Sequence, residues 1–285
     1  MKRKLFFVCI LMMFFSVAGS GFLTYAASLT NIYTNESWDV SKRTVNGTVF
    51  ACPQGSYSNV TRTFTLRATR NGITKDIAKN FNGGTILTNG TTVYYVGRYG
   101  KQHRLYKTNV TTAAVSEIGV LSDTADGIEL CGYYKNKFYF IINLPEGIFA
   151  KYSVKTKKVK QLKEDVTTAD WIGKKYFILC DGTGAGYGYL GVWNAGTGKH
   201  RKVSGKPYLW KTTSKYIYYI EINSGEPLAG NGFKASLYRW RLSDGAKKTI
   251  RKTLKIKQMT KVTDTYFRYL DLKGKTKTRH WKTGK

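Results

Sequence analysis

A doublet of strand-like segments recurs along this chain of 285 residues at a spacing near forty. The first half of each doublet is a short aromatic run: TVFAC from Thr48, TVYYV from Thr92, KFYFI from Lys137, KYFIL from Lys175, YIYYI from Tyr216 and TYFRY from Thr265. The second half follows after ten to twenty residues and ends in a charged turn, as in HRLYKTNV from His103 and SLYRWRL from Ser236. Taking Val49, Val93, Phe138, Tyr176, Ile217 and Tyr266 as anchors, the gaps are 44, 45, 38, 41 and 49 residues. A period of that size built from strands is the signature of propeller blades, each too small to bury a core alone.

The chain start has a different character. Lys2, Arg3 and Lys4 precede an apolar run from Leu5 to Val17, and Thr24-Tyr25-Ala26 places small residues at the −3 and −1 positions of a cleavage site. This reads as a secretory signal peptide over residues 1–27. The run is short for a membrane span of roughly 20 residues, and no second run of its length follows. The expectation is a mature chain, residues 28–285, forming one propeller domain without a transmembrane segment. Cys52, Cys131 and Cys180 remain after cleavage, too few for a disulfide framework. A single bridge stays open as the alternative to the preferred reading, buried thiols on strands.

Charge is the most unusual property. The whole chain carries 47 Lys and Arg against 17 Asp and Glu. Three of those cations lie in the signal, so the remainder has 44 against 17, a net charge of +27. Such a field attracts polyanions by screened, salt-dependent forces. For an exported chain these are envelope polymers, anionic lipid heads or acidic polysaccharides rather than nucleic acid.

Tyr, Thr, Val, Ile and Phe dominate, and helical periodicity is nearly absent. Asn46-Gly47, Asn71-Gly72, Asn82-Gly83, Asn89-Gly90 and Asp244-Gly245 punctuate the strands with tight-turn pairs. The pattern predicts an all-β, six-bladed β-propeller of four-stranded antiparallel blades. The last repeat shows three strands, near Lys257–Val262, Thr265–Leu270 and Lys277–Trp281, while strand-like segments at Leu29–Tyr33 and Trp38–Arg43 precede the first. A closed ring hides its edges by pairing chain ends. An N-terminal strand from residues 28–46 is therefore expected to complete the last blade, against residues 275–283.

The unit SLYRWRLSDGAKKTI, Ser236 to Ile250, with Tyr218-Tyr219 before it, resembles the LYR-x-x-LDG-x-x-x-x-L unit of six-bladed propellers of the low-density-lipoprotein-receptor and TolB-like kinds. HRLYKTNV and IFAKYSVKTKKVKQL are looser copies. The unit also resembles that of exported bacterial proteins of unknown function that carry this receptor-like propeller. The resemblance covers residues 45–285 and implies a binding or scaffold domain. The receptor relatives often hold calcium, but no acidic cluster here supports carrying that over.

Catalytic constellations are hard to find. His103, His200 and His280 each stand beside basic residues, and read as surface-loop or edge-strand positions. Neither Cys-x-x-Cys nor His-x-x-x-His spacing occurs, and no cofactor is expected. Asp181 and Glu221 end second strands and could line one rim, though hairpin-turn roles explain them more simply. Gly186, Gly188 and Gly191 fit Gly-x-Gly-x-x-Gly, but a strand, Val192-Trp193-Asn194, follows where a dinucleotide site needs a helix. Gly196-Thr197-Gly198-Lys199-His200 lacks the glycine spacing of a phosphate loop. Tyr152, Trp193, Trp240 and Trp281 occupy matching places in third strands. They are the aromatic candidates for a ligand surface, set against the preferred reading that recurring bulky residues pack between blades. The cationic candidates are Lys199, Arg201 and Lys202 on one outer strand, and Lys247, Lys248, Arg251 and Lys252 on the next.

These readings converge on a secreted or cell-wall-associated monomer that binds rather than catalyses. Its basic surface would engage an anionic cell-wall or surface polymer, or a protein partner. The alternative is a polysaccharide-acting hydrolase or lyase with its site at the central channel mouth.

Overall fold

The structure is a computed structural model that describes residues 30–34, 42–53, 55–143, 147–173, 175–181, 188–227 and 231–285. The expected signal peptide lies outside them, as do residues 28–29 and 35–41 of the expected closing segment. A short strand β1 (Thr30–Thr34) precedes a series of antiparallel meanders. The first comprises β2 (Arg43–Val45), β3 (Thr48–Ala51), β4 (Phe64–Arg70) and β5 (Ile73–Phe81). The second comprises β6 (Gly84–Thr88), β7 (Thr92–Tyr99), β8 (Gln102–Asn109) and β9 (Val115–Ser122). The third comprises β10 (Gly127–Tyr134), β11 (Lys137–Asn143), β12 (Ile148–Ser153) and β13 (Lys158–Glu164). The fourth comprises β14 (Thr168–Trp171), β15 (Tyr176–Asp181), β16 (Tyr189–Asn194) and β17 (Lys199–Ser204). The fifth comprises β18 (Pro207–Thr212), β19 (Tyr216–Gly225), β20 (Phe233–Arg241) and β21 (Lys247–Ile256). A three-stranded sheet follows: β22 (Gln258–Val262), β23 (Tyr266–Leu270) and β24 (Thr276–His280). One bridge, Phe81↔Gly97 between β5 and β7, joins β1 and the first two units into a nine-stranded sheet, and the next three units are separate four-stranded sheets. Successive antiparallel meanders packed in chain order make this an all-β propeller.

The turn from third to fourth strand explains the repeat in the sequence. In the second unit Ala113 N–H donates to Asn109 C=O at 2.8 Å, and the same bond recurs from Lys157 to Ser153, Gly198 to Asn194, Gly245 to Arg241 and Gly284 to His280. The donor residue has a left-handed backbone every time, with φ of 59° at Ala113, 56° at Lys157, 68° at Gly198, 82° at Gly245 and 68° at Gly284. Glycine takes that conformation without a Cβ clash, which is why Asp-Gly stands in the SLYRWRLSDG unit. Asp244 Oδ1 also accepts from Ala246 N–H at 3.0 Å.

Five hydrophobic clusters join the units, each drawing residues from two neighbours. They link first to second, second to third, third to fourth, fourth to fifth, and fifth to the last sheet. Tyr152 shows how closely the sheets meet. It is 1% exposed, and its hydroxyl donates to Ile118 C=O in the preceding unit at 2.9 Å. Gly119 leaves the room it needs, since a Cβ there would collide with the Tyr152 ring. The αL turn residues add a second joint. Lys157 Nζ donates to Ile118 C=O at 3.1 Å, and Arg251 Nη1 donates to Gly284 C=O at 3.2 Å.

Outer strands β9, β13, β17 and β21 each carry a register shift against their third strand. A bulge and exposed lysines together make a poor template for edge-to-edge pairing.

One expectation is corrected. Among the described residues, no N-terminal strand completes the last sheet. β1 pairs antiparallel with β6, from Thr30↔Thr88 to Thr34↔Gly84. Among the described residues β24 has β23 as its partner, and no hydrophobic cluster joins the last sheet to the first. The local reason is visible at both ends. Residues 280–285 close into a turn, with His280 N–H donating to Lys285 C=O at 2.9 Å. β6 offers an unpaired first-strand edge, and β1 takes it; β2 opens the first unit instead.

Candidate functional site

Antiparallel meanders send every first-to-second and third-to-fourth turn to one face, and the remaining connections to the other. The first face is basic. Its turns hold Lys135, Lys155, Lys157, Lys175, Lys215, Lys282 and Lys285 among the described residues, against the acids Asp244 and Asp264. Both acids are already held: Asp244 Oδ2 lies 2.5 Å from Arg241 Nη2, and Asp264 pairs with Lys211. The second face is mixed, with Asp123, Asp126, Asp165, Glu226 and Asp271 among Arg62, Lys101, Lys206, Lys257, Lys273 and Lys275.

The seven cationic candidates sit on β17 and β21, outer strands of neighbouring units. Lys199, Arg201, Lys202, Lys247, Lys248, Arg251 and Lys252 are all exposed. Some have local work. Lys202 Nζ lies 5.9 Å from the Tyr189 ring centre. Lys247 Nζ sits 3.8 Å from the Tyr238 ring centre and 3.4 Å from Glu221 Oε1. Lys199, Lys248 and Lys252 make no side-chain hydrogen bond or ion pair with the described residues.

The aromatic candidates are corrected. Trp193 is 7% exposed, Trp240 4% and Trp281 1%, and Tyr152 is equally enclosed. Each belongs to a cluster between neighbouring units. Tyr152, Trp193 and Trp240 lie on third strands, Trp281 directly follows β24, and all four are covered by an adjacent sheet, so none offers a ring to a ligand.

The two rim acids prove structural. Asp181 Oδ1 accepts from Tyr189 N–H at 2.5 Å. Glu221 Oε2 accepts from Ser204 Oγ at 2.6 Å, tying the fifth unit to the fourth. The strand after Gly188 is confirmed as β16, which removes a dinucleotide site. The described cysteines are free thiols, and burial pushes Cys52 and Cys180 up to about 11, so neither is an activated nucleophile.

Two clefts are lined by charged side chains. On the mixed face, a cavity of about 370 Å³ lies between the first three units, with Arg62, Arg98, Asp126 and Glu129 in its wall beside Asn82 and Asn143. His103 lies near Arg98 and Asp126, and it departs from the expected surface position. It is fully buried on β8, neither ring nitrogen has a hydrogen-bond partner among the described residues, and burial followed by the Arg98 charge pushes it down to about 4. Its signal was in the sequence: His103 shares the parity of Leu105, the inward face of a strand. On the basic face, a cleft of about 430 Å³ separates the fourth and fifth units, with Lys175, Lys215 and Arg241 in its wall. No group of three or more His, Cys, Asp and Glu able to hold a metal occurs among the described residues. No helix among them is long and apolar enough to cross a membrane.

No family model matches the chain, and no curated protein matches it. Among solved structures it is similar to an oligogalacturonate lyase from Vibrio parahaemolyticus, at 9% identity and TM-score 0.48 over 88% of this chain and 84% of that one. It is similar to the β-propeller domain of the Trilobed protease from Pyrococcus furiosus, at 11% identity and TM-score 0.46 over 90% and 81%. TolB from Acinetobacter baumannii shares 14% identity at TM-score 0.40 over 75% of this chain, which spans only 59% of that protein. All three scores lie under 0.5, so the propeller fold rests on the strand pairing of this chain.

Proposed function

We propose that the protein is an exported binding propeller whose basic face and outer strands hold an anionic envelope polymer. Export rests on the signal-like start, and a ring of six blades is part of the same proposal. The observation that carries the reading is the uneven distribution of charge: the turns of one face offer lysines while both of their acids are neutralised within the fold. Attraction of this kind acts over about 10 Å at 0.1 M salt and about 3 Å at 1 M. Retention on anionic cell-wall polymer is therefore expected to be strong at 50 mM salt and lost by about 0.5 M. Retention that ignores salt, or none at low salt, refutes the reading.

One observation favours an enzyme: Asp126 and Glu129 line a common cavity with Arg62 and Arg98. A carboxylate pair beside guanidinium groups suits hydrolysis or lysis of an acidic polysaccharide. That activity would release new chain ends from polygalacturonate, and Asp126→Asn would abolish the release. If the unaltered protein releases none, this second reading fails for that substrate.

A further inference from the structure

The cleft between the fourth and fifth units differs from the other basic hollow on the same face. Near the first and second units, Arg70, Lys75 and Thr111 line a hollow of about 170 Å³. Its cations are consumed by the fold. Arg70 Nη1 donates to Thr48 Oγ1 at 2.9 Å and to Gly90 C=O at 2.9 Å, and Lys75 Nζ donates to Thr111 C=O. In the larger cleft, Lys175 and Lys215 form no side-chain hydrogen bond or ion pair with the described residues. Lys175 Nζ lies 5.8 Å from the Tyr176 ring centre. Ser214 and Ser243 add two exposed hydroxyls at the cleft wall.

The walls are held in place. Leu242 N–H donates to Lys215 C=O at 3.0 Å, which locks the two turns of the fifth unit together. Tyr176 and Leu242 belong to the buried cluster between the units, so the cleft has a rigid apolar floor. Arg241 is the third cation, but its fork is occupied: Nε donates to Asp244 Oδ1 at 2.9 Å and Nη2 to Asp244 Oδ2 at 2.5 Å. A free guanidinium fork matches a planar carboxylate, whereas lysine meets phosphate as a point charge. What remains here is two ammonium groups and two hydroxyls.

We propose that this cleft is a phosphate-binding site, in which Lys175 and Lys215 grip a phosphate group of a phosphodiester polymer and Ser214 and Ser243 donate to its oxygens. The inference deepens the anionic-polymer reading and rests on it. The test titrates the full chain with poly(glycerol phosphate) and, at matched charge concentration, with polygalacturonate, by calorimetry at 50 mM salt. The unaltered protein is expected to bind the phosphate polymer at least fivefold more tightly. Lys175→Gln with Lys215→Gln should weaken it about tenfold or more. Lys158→Gln with Lys160→Gln, an equal loss of charge on β13, should weaken it about twofold. Lys215→Gln alone, on an exposed side chain, provides a folded variant in reserve and should lose about threefold. Equal effects of the two double variants, or equal affinity for the two polymers, overturn the cleft while leaving the basic-surface reading standing. Binding of neither polymer by the unaltered protein overturns both.

Discussion

Between pH 6.5 and 4 the folded protein is expected to lose about 3 kcal/mol of stability through His103 alone. The imidazole is fully buried with both nitrogens unpartnered among the described residues, and it is pushed down to about 4 by burial and by Arg98, with Asp126 opposing. In the unfolded chain it protonates near 6.5. As pH falls below 6.5 the unfolded state takes up a proton that the folded state refuses until about 4. The unfolded state binds more protons across that window, so stability falls with falling pH there and levels off below it. Above pH 6.5 both states are neutral and the contribution is complete. His103→Leu removes the titration and two unpartnered polar atoms. It should be at least as stable as the original protein at neutral pH and clearly more stable at pH 4.5. Urea denaturation of both proteins at pH 7.5, 6, 5 and 4.5 measures this. Stability curves that run parallel would show that His103 finds a partner when charged.

Trp281→Ala is expected to cost about 3–5 kcal/mol of folding stability. The indole is 1% exposed, its ring centre lies 4.8 Å from that of Phe267, and Nε1 donates to Thr263 C=O at 3.0 Å. It is the main side chain of β24's end of the cluster that fastens the last sheet to the fifth unit. Truncation leaves a cavity where two sheets meet, with no closing strand on the described far edge to compensate. Trp281→Phe keeps most of the volume and loses the hydrogen bond, which should cost only about 1–2 kcal/mol. The two roles imagined for this residue separate cleanly in such an experiment. A packing residue lowers the denaturation midpoint; a ligand-stacking residue lowers affinity and leaves the midpoint alone. An unchanged midpoint for Trp281→Ala would contradict the burial described above.

Strand positions were legible because their causes are local. Tyr189–Asn194 and Lys137–Asn143 could be read to the residue, since aromatic and β-branched runs stop at Asn, Gly and Lys-rich turns. The Asp244-Gly245 turn is legible for the same reason: glycine takes the positive φ of this turn without the strain that Ala113 and Lys157 accept at the matching positions. The basic neighbours of His103 point to the surface, whereas its strand parity with Leu105 points inward, and the parity prevails. Tyr152, Trp193, Trp240 and Trp281 were ambiguous, because a recurring aromatic suits either a repeated joint or an outward ladder. Only the neighbouring sheet decides between them.

The partner of the N-terminal strand was out of reach for a deeper reason. TNIYT has strand character, but any free strand edge can accept it, and sequence does not say which edge lies nearby. The segregation of charge has the same origin. Lys175, Lys215 and Arg241 are far apart in the chain, and they share a cleft because antiparallel meanders deliver alternate turns to one face and neighbouring sheets bring those turns together. The amino-acid order by itself determined the strands, their turns and the overall excess of positive charge, all of which depend on residues within a few positions of one another. Which aromatics are sealed between sheets, which acids are neutralised and which lysines are left to face an anion were decided only by tertiary packing, because burial and pairing depend on contacts between residues that the chain keeps far apart.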